Sequence, residues 1–321
     1  MKKRCICMGS LLFFILLCRY SSDCSHAVQR ALQLCLTSAI PSLFPFFAAS
    51  SLAISSGLAQ SLGNRFAPLM RYVFHLPGCG AAALFLGFLG GYPAGARMAA
   101  ELWHHDLCSR EEASALASVC NNTGPAFLIG MCGCGLFHSV KLGIFLYVVH
   151  ILSALITAFL LRPKQLPLKA PSRPLPEQLP FCSLLTQSVL SAGRSCLMVS
   201  AFILFFSVVL CLLRLTGALS VLCMGMTPLL SPNLSSAGVQ SLITGLVELT
   251  QGLAGLISSA GSVTARLTTA SVLCAFGGLS VLFQTAAAVD GLPVSHCIRG
   301  KCIHACISAL LCVFLSHFLL L

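Results

Sequence analysis

The stretch that decides the fold is residues 87–102, which read GFLGGYPAGARMAAEL. Its glycines at 87, 91 and 95 have the spacing of four that is typical of helices packed closely in a membrane. Pro93 lies between them, and a proline inside a helix removes a backbone hydrogen bond and clashes with the preceding turn. Two interpretations follow: a packing face on an intact helix, or a broken or re-entrant helix whose backbone amides face a ligand or a water-filled cavity. Packing alone gives no reason for Tyr92 and Pro93, so we favour the second.

The composition excludes an ordinary soluble protein. Hydrophobic residues make up 57% of the 321 residues and charged residues 8%, whereas about 25% of the residues in a soluble domain are charged. Apolar runs that approach the roughly 20 residues needed to cross a bilayer lie at 36–56, 79–96, 113–131, 142–161, 197–222, 239–260, 267–289 and 303–321. We therefore expect a multi-pass protein of the cell membrane, with the lipid bilayer as a partner.

The net charge of +11 would suit nucleic acid, but the basic residues are scattered through short connections instead of forming a stripe with interleaved aromatic residues. The tendency of cytoplasmic loops to be positive explains them better, so no nucleic-acid partner is expected. Most of the 19 cysteines lie in apolar runs, where a thiol behaves as a small hydrophobic group. We expect few or no disulfides.

The two halves of the chain repeat the same order of features. In each, a span is followed by a glycine-rich segment, which reads GFLGGYPAG at 87–95 and GLVELTQG at 245–252. A span with central glycines comes next, and a span with a histidine comes last. If the glycine-rich segments cross the membrane, each half has four spans and the halves are parallel. If they dip in and return, each half has three spans, the halves are inverted, and the basic linker between them is cytoplasmic, together with Arg65, Arg71, Arg299 and Lys301. The charges favour the inverted arrangement.

Two further segments place polar side chains within the apolar runs. Asn121, Asn122 and Thr123 precede a Gly-Pro pair, and an unpaired amide in hydrocarbon costs several kcal/mol. They are either hydrogen-bonding contacts between helices, worth about 0.6 to 2 kcal/mol each, or part of a discontinuous helix that faces a polar cavity. We favour the cavity because polar clusters in a membrane are usually functional.

Glu248 is the acidic residue expected to be buried in a span. An ionised acid at mid-depth costs about 2.5 to 3.5 kcal/mol, so Glu248 should be protonated, paired or facing water, unless it lies near an interface. Thr250 and Gln251 extend the same polar face, and Ser280 and Gln284 follow a glycine pair at 277–278.

These segments together predict a cavity between the two repeats that binds a small polar solute. The predicted lining residues are Tyr92, Asn121, Asn122, Thr123, Glu248, Thr250, Gln251 and Gln284. The predicted helix breaks or hinges are Gly91, Pro93, Gly95, Gly124, Pro125, Gly252, Gly277 and Gly278. Amide, hydroxyl and carboxyl groups suit a nucleoside-like or otherwise polyhydroxylated ligand.

No metal site, cofactor or enzymatic site is predicted. His104, His105 and Asp106 lie together, but no HExxH or paired CxxC accompanies them. The cysteines and the histidine of CIRGKCIHAC at 297–306 are better explained as small apolar residues and one imidazole that bonds between helices. No GxSxG elbow, P-loop or complete GxGxxG is present.

Five motifs in order resemble the YlbJ family of sporulation integral membrane proteins, which is grouped with the nucleoside-recognition, or Gate, membrane proteins. They are PSLFPF at 41–46, GGYPAGAR at 90–97, NNTGPAF at 121–127, ELTQG at 248–252 and FGGLSVLFQ at 276–284. The resemblance extends from about residue 27 to the end. It implies a polytopic membrane protein of endospore-forming bacteria that is needed for spore formation, with a transporter-like architecture related to nucleoside transporters. It does not settle the substrate.

The predicted fold is an all-α polytopic membrane protein with two inverted repeats that contain re-entrant or broken helices. Residues 1–27 form a membrane span or a signal-like segment, 28–161 the first, Gate-like repeat, 162–181 a proline-rich cytoplasmic linker, and 182–321 the second repeat. We expect a transporter or channel-like protein. The alternatives are a non-transporting scaffold for spore-envelope assembly and, less favoured, an intramembrane enzyme with Glu248 and a histidine as acid and base. Homo-oligomer formation or association with other sporulation membrane proteins stays open.

Overall fold

The computed structural model describes residues 2–56, 58–164, 180–230, 234–257, 259, 261–289 and 291–319. Most of the predicted linker, residues 165–179, therefore lies outside the described residues. All regular elements in the described part of the chain are helices, so the predicted all-α class is confirmed.

Among the described residues, the first half contains eight α-helices and two π-helical segments, Cys35–Ala39 between α2 and α3 and Ala126–Leu136 between α7 and α8. The α-helices are α1 (Lys2–Arg19), α2 (Ser21–Leu34), α3 (Ile40–Ser55), α4 (Leu58–Tyr72), α5 (Gly80–Gly90), α6 (Ala94–His104), α7 (Arg110–Cys120) and α8 (Val140–Leu160).

The second half follows the linker. Its helices are α9 (Phe181–Leu215), α10 (Ala218–Leu230), α11 (Ser236–Val247), α12 (Leu249–Ile257), α13 (Val263–Phe276), α14 (Gly278–Ala288) and α15 (Val294–Leu319).

Several helices are long and apolar enough to cross a bilayer. In the described residues there are four of them, Val140–Leu160, Phe181–Leu215, Val263–Ala288 and Val294–Phe318. A fifth crossing is formed if Arg4–Arg19 and Ser21–Ala39, which meet at 91°, count as one span.

The stretch at 87–102 forms a helical hairpin. α5 ends at Gly90, α6 begins at Ala94, and a β-carbon built on Gly95 would lie 2.8 Å from the Gly87 Cα. Gly87 and Gly95 are each four residues from Gly91, so the chain reverses there. Each arm has 11 residues and is about 16 Å long, too short for a hydrocarbon core of about 30 Å. We call α5, α6 and the tip at 91–93 hairpin 1.

The second glycine-rich segment folds in the same way. α11 ends at Val247 and α12 begins at Leu249. A β-carbon on Gly252 would lie 2.1 Å from the Gly245 Cα, and one on Gly255 would lie 2.7 Å from the Ser241 Oγ. These two contacts are arranged symmetrically about Glu248, which is therefore the tip of hairpin 2, formed by α11 and α12.

Each hairpin is followed by a broken helix. The first consists of α7 and the π-helical segment Ala126–Leu136, with residues 121–124 unwound between them. The second consists of α13 and α14, which are separated at Gly277. Both start with a side-chain cap: the Glu112 N–H donates to the Ser109 Oγ, and the Ala265 N–H donates to the Ser262 Oγ. The structure thus repeats one order of elements in both halves, while the inverted relation between the halves stays a prediction.

The core consists of tightly packed helices. Leu84, Leu116 and Ala154 belong to a buried apolar cluster around hairpin 1, and Leu253 and Leu273 belong to another around hairpin 2. Burying apolar side chains adds little where the alternative is lipid, so close packing and hydrogen bonds must hold the helices together.

Candidate functional site

The tip of hairpin 1 touches the break of the first broken helix. Gly91 has a φ of 71°, a left-handed conformation that glycine adopts without steric cost. A β-carbon on Gly124 would lie 2.9 Å from the Gly91 nitrogen. The two unwound segments therefore meet backbone to backbone, with no side chain between them.

Hairpin 2 meets the second broken helix in the same way. Gly277 has a φ of 88° and ends α13. A β-carbon on the next residue, Gly278, would lie 2.5 Å from the Gly245 carbonyl oxygen of α11. Each half of the protein thus joins a hairpin to a helix break through glycine.

Hydrogen bonds connect the first break to the second half. The Thr123 Oγ1 donates to the Cys274 carbonyl oxygen at 2.7 Å, and the Tyr92 hydroxyl donates to the same oxygen. The Thr123 N–H donates to the His150 Nε2 of α8 at 2.9 Å. These contacts pair backbone groups that an unwound helix would otherwise leave unsatisfied in the membrane.

Asn121 and Asn122 lie in the break, and both side chains are buried. The Asn121 Nδ2 donates to the Thr285 Oγ1 of α14 at 2.7 Å, and the Asn122 Nδ2 donates to the Val119 carbonyl oxygen at 2.9 Å. The Asn121 Oδ1 is buried and has no hydrogen-bond partner. Asn121 therefore joins the two halves, while the bond from Asn122 is local.

Glu248 is 1% exposed and forms the tip of hairpin 2 in an extended conformation. Its carboxylate accepts from the Thr250 N–H at 3.1 Å and from the Gln251 N–H at 2.8 Å. Both amides belong to the first turn of α12, where amides lack helical partners and the helix dipole favours an anion. Glu248 is thus buried and caps α12 through its side chain.

The two hairpin tips, the first break and the first turns of α14 line a cavity of about 40 Å³. Five of the eight predicted binding residues line it: Tyr92, Thr123, Glu248, Thr250 and Gln284. Residues from the other helices that also line it are Leu43, Phe47, Val199, Ile203 and Ser280. Residues from both halves of the chain line the cavity. Asn121 and Asn122 lie behind its wall, and whether any of these residues binds a solute stays a prediction.

Gln251 lines a second and larger cleft, of about 390 Å³. Its Nε2 donates to the Ser207 Oγ of α9. The charged and titratable side chains around this cleft are Asp23, His26, Arg30 and Arg214. The sequence analysis did not predict these four residues. Three of them, Asp23, His26 and Arg30, lie on α2 and recur with a helical period, which is a signal that could have found them.

The predicted hinge residues fall into two groups. Gly91, Pro93, Gly124, Pro125, Gly277 and Gly278 lie at the tip or at the breaks. Gly95 and Gly252 lie inside α6 and α12 instead. There the absence of a side chain lets the two arms of each hairpin approach, so these two glycines pack helices together and do not break them.

No group of three or more potential metal ligands occurs among the described residues. His304 forms the kind of interhelical contact expected from the sequence, because its Nε2 lies 2.9 Å from the Ser153 Oγ of α8. All cysteines in the structure are free thiols.

Comparison with known proteins finds two similarities. The family model for nucleoside recognition, called Gate, matches residues 36–134, which include hairpin 1 and the first broken helix up to residue 134. The chain is also similar to the sporulation integral membrane protein YlbJ of Bacillus subtilis (strain 168), with 32% identical residues over 269 positions. Both matches support the resemblance to the YlbJ family. The aligned region covers 77% of this chain and 65% of that relative.

The chain is a multi-pass membrane protein, as its similarity to an integral membrane protein and its apolar helices show. The match spans slightly less than two thirds of the YlbJ relative. No solved structure matches the chain.

Proposed function

We propose that this chain carries a small polar solute across the membrane and that this activity serves spore formation. The observation that carries the proposal is the convergence of two hairpin tips, the first helix break and the first turns of α14 on one cavity. In broken-helix transporters, half-helix ends present their backbone groups to a solute near the middle of the bilayer. The name of the similar YlbJ protein and the nucleoside-recognition match support the proposal.

The chemistry of the cavity supports a solute rich in hydroxyl and amide groups. Thr123 of the first break, Thr250 of α12, and Ser280 and Gln284 of α14 contribute hydroxyl and amide groups, and Glu248 adds a carboxyl group. Such groups recognise a nucleoside-like or polyhydroxylated molecule through hydrogen bonds.

The size of the cavity adds a requirement for movement. A volume of about 40 Å³ holds roughly two or three water molecules, whereas pockets for ligands of drug size start near about 300 Å³. The cavity must therefore widen before a nucleoside-sized solute is admitted. The hairpins are the elements expected to move, because each tip contacts the cavity and neither arm spans the bilayer.

The test is uptake and binding of radiolabelled polar metabolites, nucleosides first, by the purified full chain in liposomes. Gln284→Leu and Glu248→Gln should each lower uptake of the accepted solute by about tenfold or more, because each removes a hydrogen bond to the solute in a dry cavity. Gln at 248 keeps an oxygen that can accept from an amide of α12, so folding should be retained.

The matched control is Glu101→Gln, an exposed position on α6 of hairpin 1, which should transport as well as wild type. If wild-type protein neither binds nor moves any solute of the panel, the scaffold interpretation is favoured. Turnover of a substrate by detergent-solubilised protein without a gradient would instead favour an enzyme.

We also propose that the two halves are inverted and that the linker is cytoplasmic. A Ser172→Cys variant should then resist a membrane-impermeant thiol reagent in intact cells and react after permeabilisation, with the parent chain as background control. The reason is that basic connections stay on the cytoplasmic side. Labelling from outside intact cells would contradict the three-span count for each half.

A further inference from the structure

Lys301 is a lysine buried among the helices of the membrane domain. It lies on α15 and is 2% exposed, although the sequence grouped it with the cytoplasmic charges. The neighbouring residue, Gly300, explains why Lys301 is buried. A β-carbon on Gly300 would lie 2.1 Å from the Ser118 carbonyl oxygen, so the backbone of α15 lies directly against the end of α7.

The Lys301 Nζ lies between the two helix breaks. It donates to the Asn121 carbonyl oxygen at 3.3 Å, and it lies 4.0 Å from the centroid of the Tyr92 ring. A β-carbon on Gly277 would lie 3.3 Å from the same nitrogen. Asn121 is the residue that ends α7, and Gly277 is the residue that ends α13.

The ends of α7 and α13 are the electronegative ends of their helices. Carbonyl groups without helical partners give a helix C-terminus a charge equivalent to about −0.5, and the Lys301 nitrogen lies close to two such ends. The face of the Tyr92 ring also attracts a cation. Within the described residues, no carboxylate bonds to Lys301. Its charge is therefore compensated by the Asn121 carbonyl, the C-terminal ends of two helices and a ring instead of by an acid.

Unwound carbonyls and half-helix C-termini are the groups that coordinate Na⁺ in broken-helix transporters. We propose that the Lys301 ammonium occupies such a cation position permanently and holds the two breaks together, so that the protein needs no bound metal cation there. The proposal concerns the assembly of the breaks and holds whether or not the chain transports a solute.

The test measures the thermal midpoint of the purified full chain in detergent. The salts are sodium chloride, methylammonium chloride and N-methyl-D-glucamine chloride at equal ionic strength. The wild-type midpoint should be the same in sodium and N-methyl-D-glucamine. Lys301→Ala should lower it by about 3 to 6 °C in N-methyl-D-glucamine, because carbonyl groups are left buried without their cation. Methylammonium or sodium should restore at least half of that loss, since the truncated side chain leaves room for a cation.

Lys301→Met is the control that separates charge from volume. Met fills the same space without a charge, so the variant should be destabilised and should not respond to either cation. Lys141→Ala, at an exposed lysine of α8, should behave as wild type in all three salts.

Three results would overturn the proposal. The first is a wild-type midpoint that is higher in sodium than in N-methyl-D-glucamine, which would show that a cation position is open beside Lys301. The second is a Lys301→Met protein as stable as wild type. The third is a folded Lys301→Ala protein that neither cation restores. If Lys301→Ala does not fold, the wild-type and Lys301→Met measurements still decide.

Discussion

Replacing Gly252 by alanine should disrupt hairpin 2 and lower the free energy of unfolding by about 3 kcal/mol or more. The added β-carbon would lie 2.1 Å from the Gly245 Cα and 2.7 Å from the Ser241 carbonyl oxygen. Both are backbone atoms, so no change of side-chain rotamer can relieve the clash, and the arms must separate. The measurements are the thermal midpoint in detergent and the fraction of protein that elutes as a single species.

Gly193→Ala is the matched control. Gly193 lies inside α9, and a β-carbon there would meet no atom within 4 Å. Alanine is the better helix former by up to about 1 kcal/mol, so this variant should be as stable as wild type or slightly more stable. If Gly252→Ala and Gly193→Ala have equal thermal midpoints, the arms of hairpin 2 are not in backbone contact.

Replacing His150 by alanine should cost about 3 to 5 kcal/mol of stability. The side chain is 1% exposed, and its Nε2 accepts from the Thr123 N–H in the first break. Alanine leaves both a cavity and a buried amide without an acceptor. The His150 ring also packs on the His304 ring, with the two centroids 4.5 Å apart. The checks are the thermal midpoint and faster hydrogen exchange at the Thr123 amide.

Two further substitutions separate the volume from the hydrogen bond. His150→Leu fills the space but offers no acceptor, so it should lose about 1 to 3 kcal/mol. His150→Gln can present its side-chain oxygen to the Thr123 N–H and should recover part of that loss. If the His150→Leu variant is as stable as the His150→Gln variant, the hydrogen bond to the Thr123 N–H contributes nothing to stability.

Local chemistry was enough to predict the helical architecture and the segments that break. A Gly-Tyr-Pro sequence between glycines cannot continue a helix, and the structure ends α5 there. The glycine pair at 277–278 likewise separates α13 from α14. These breaks depend on backbone sterics within a few residues, so they can be predicted from the sequence alone.

The partners of the polar side chains could not be predicted, because they depend on contacts between distant segments. Asn121 bonds to Thr285, which is 164 residues away in the chain. In the sequence, Lys301 looks like any lysine near the end of a span. Its burial depends on Gly300, which lets α15 approach α7 closely. The cap formed by Glu248 was also missed, since glutamate is not among the residues usually preferred at that position.

The glycine contacts determine which parts of the protein can separate. Within each half, a hairpin and its broken helix touch through backbone atoms, at Gly124 against Gly91 and at Gly278 against Gly245. Between the halves, hydrogen bonds such as that from Thr123 to Cys274 join the breaks, each worth about 1 kcal/mol, and the backbone of α15 lies against the end of α7 at Gly300. We therefore expect each hairpin to move as one rigid body with its own broken helix.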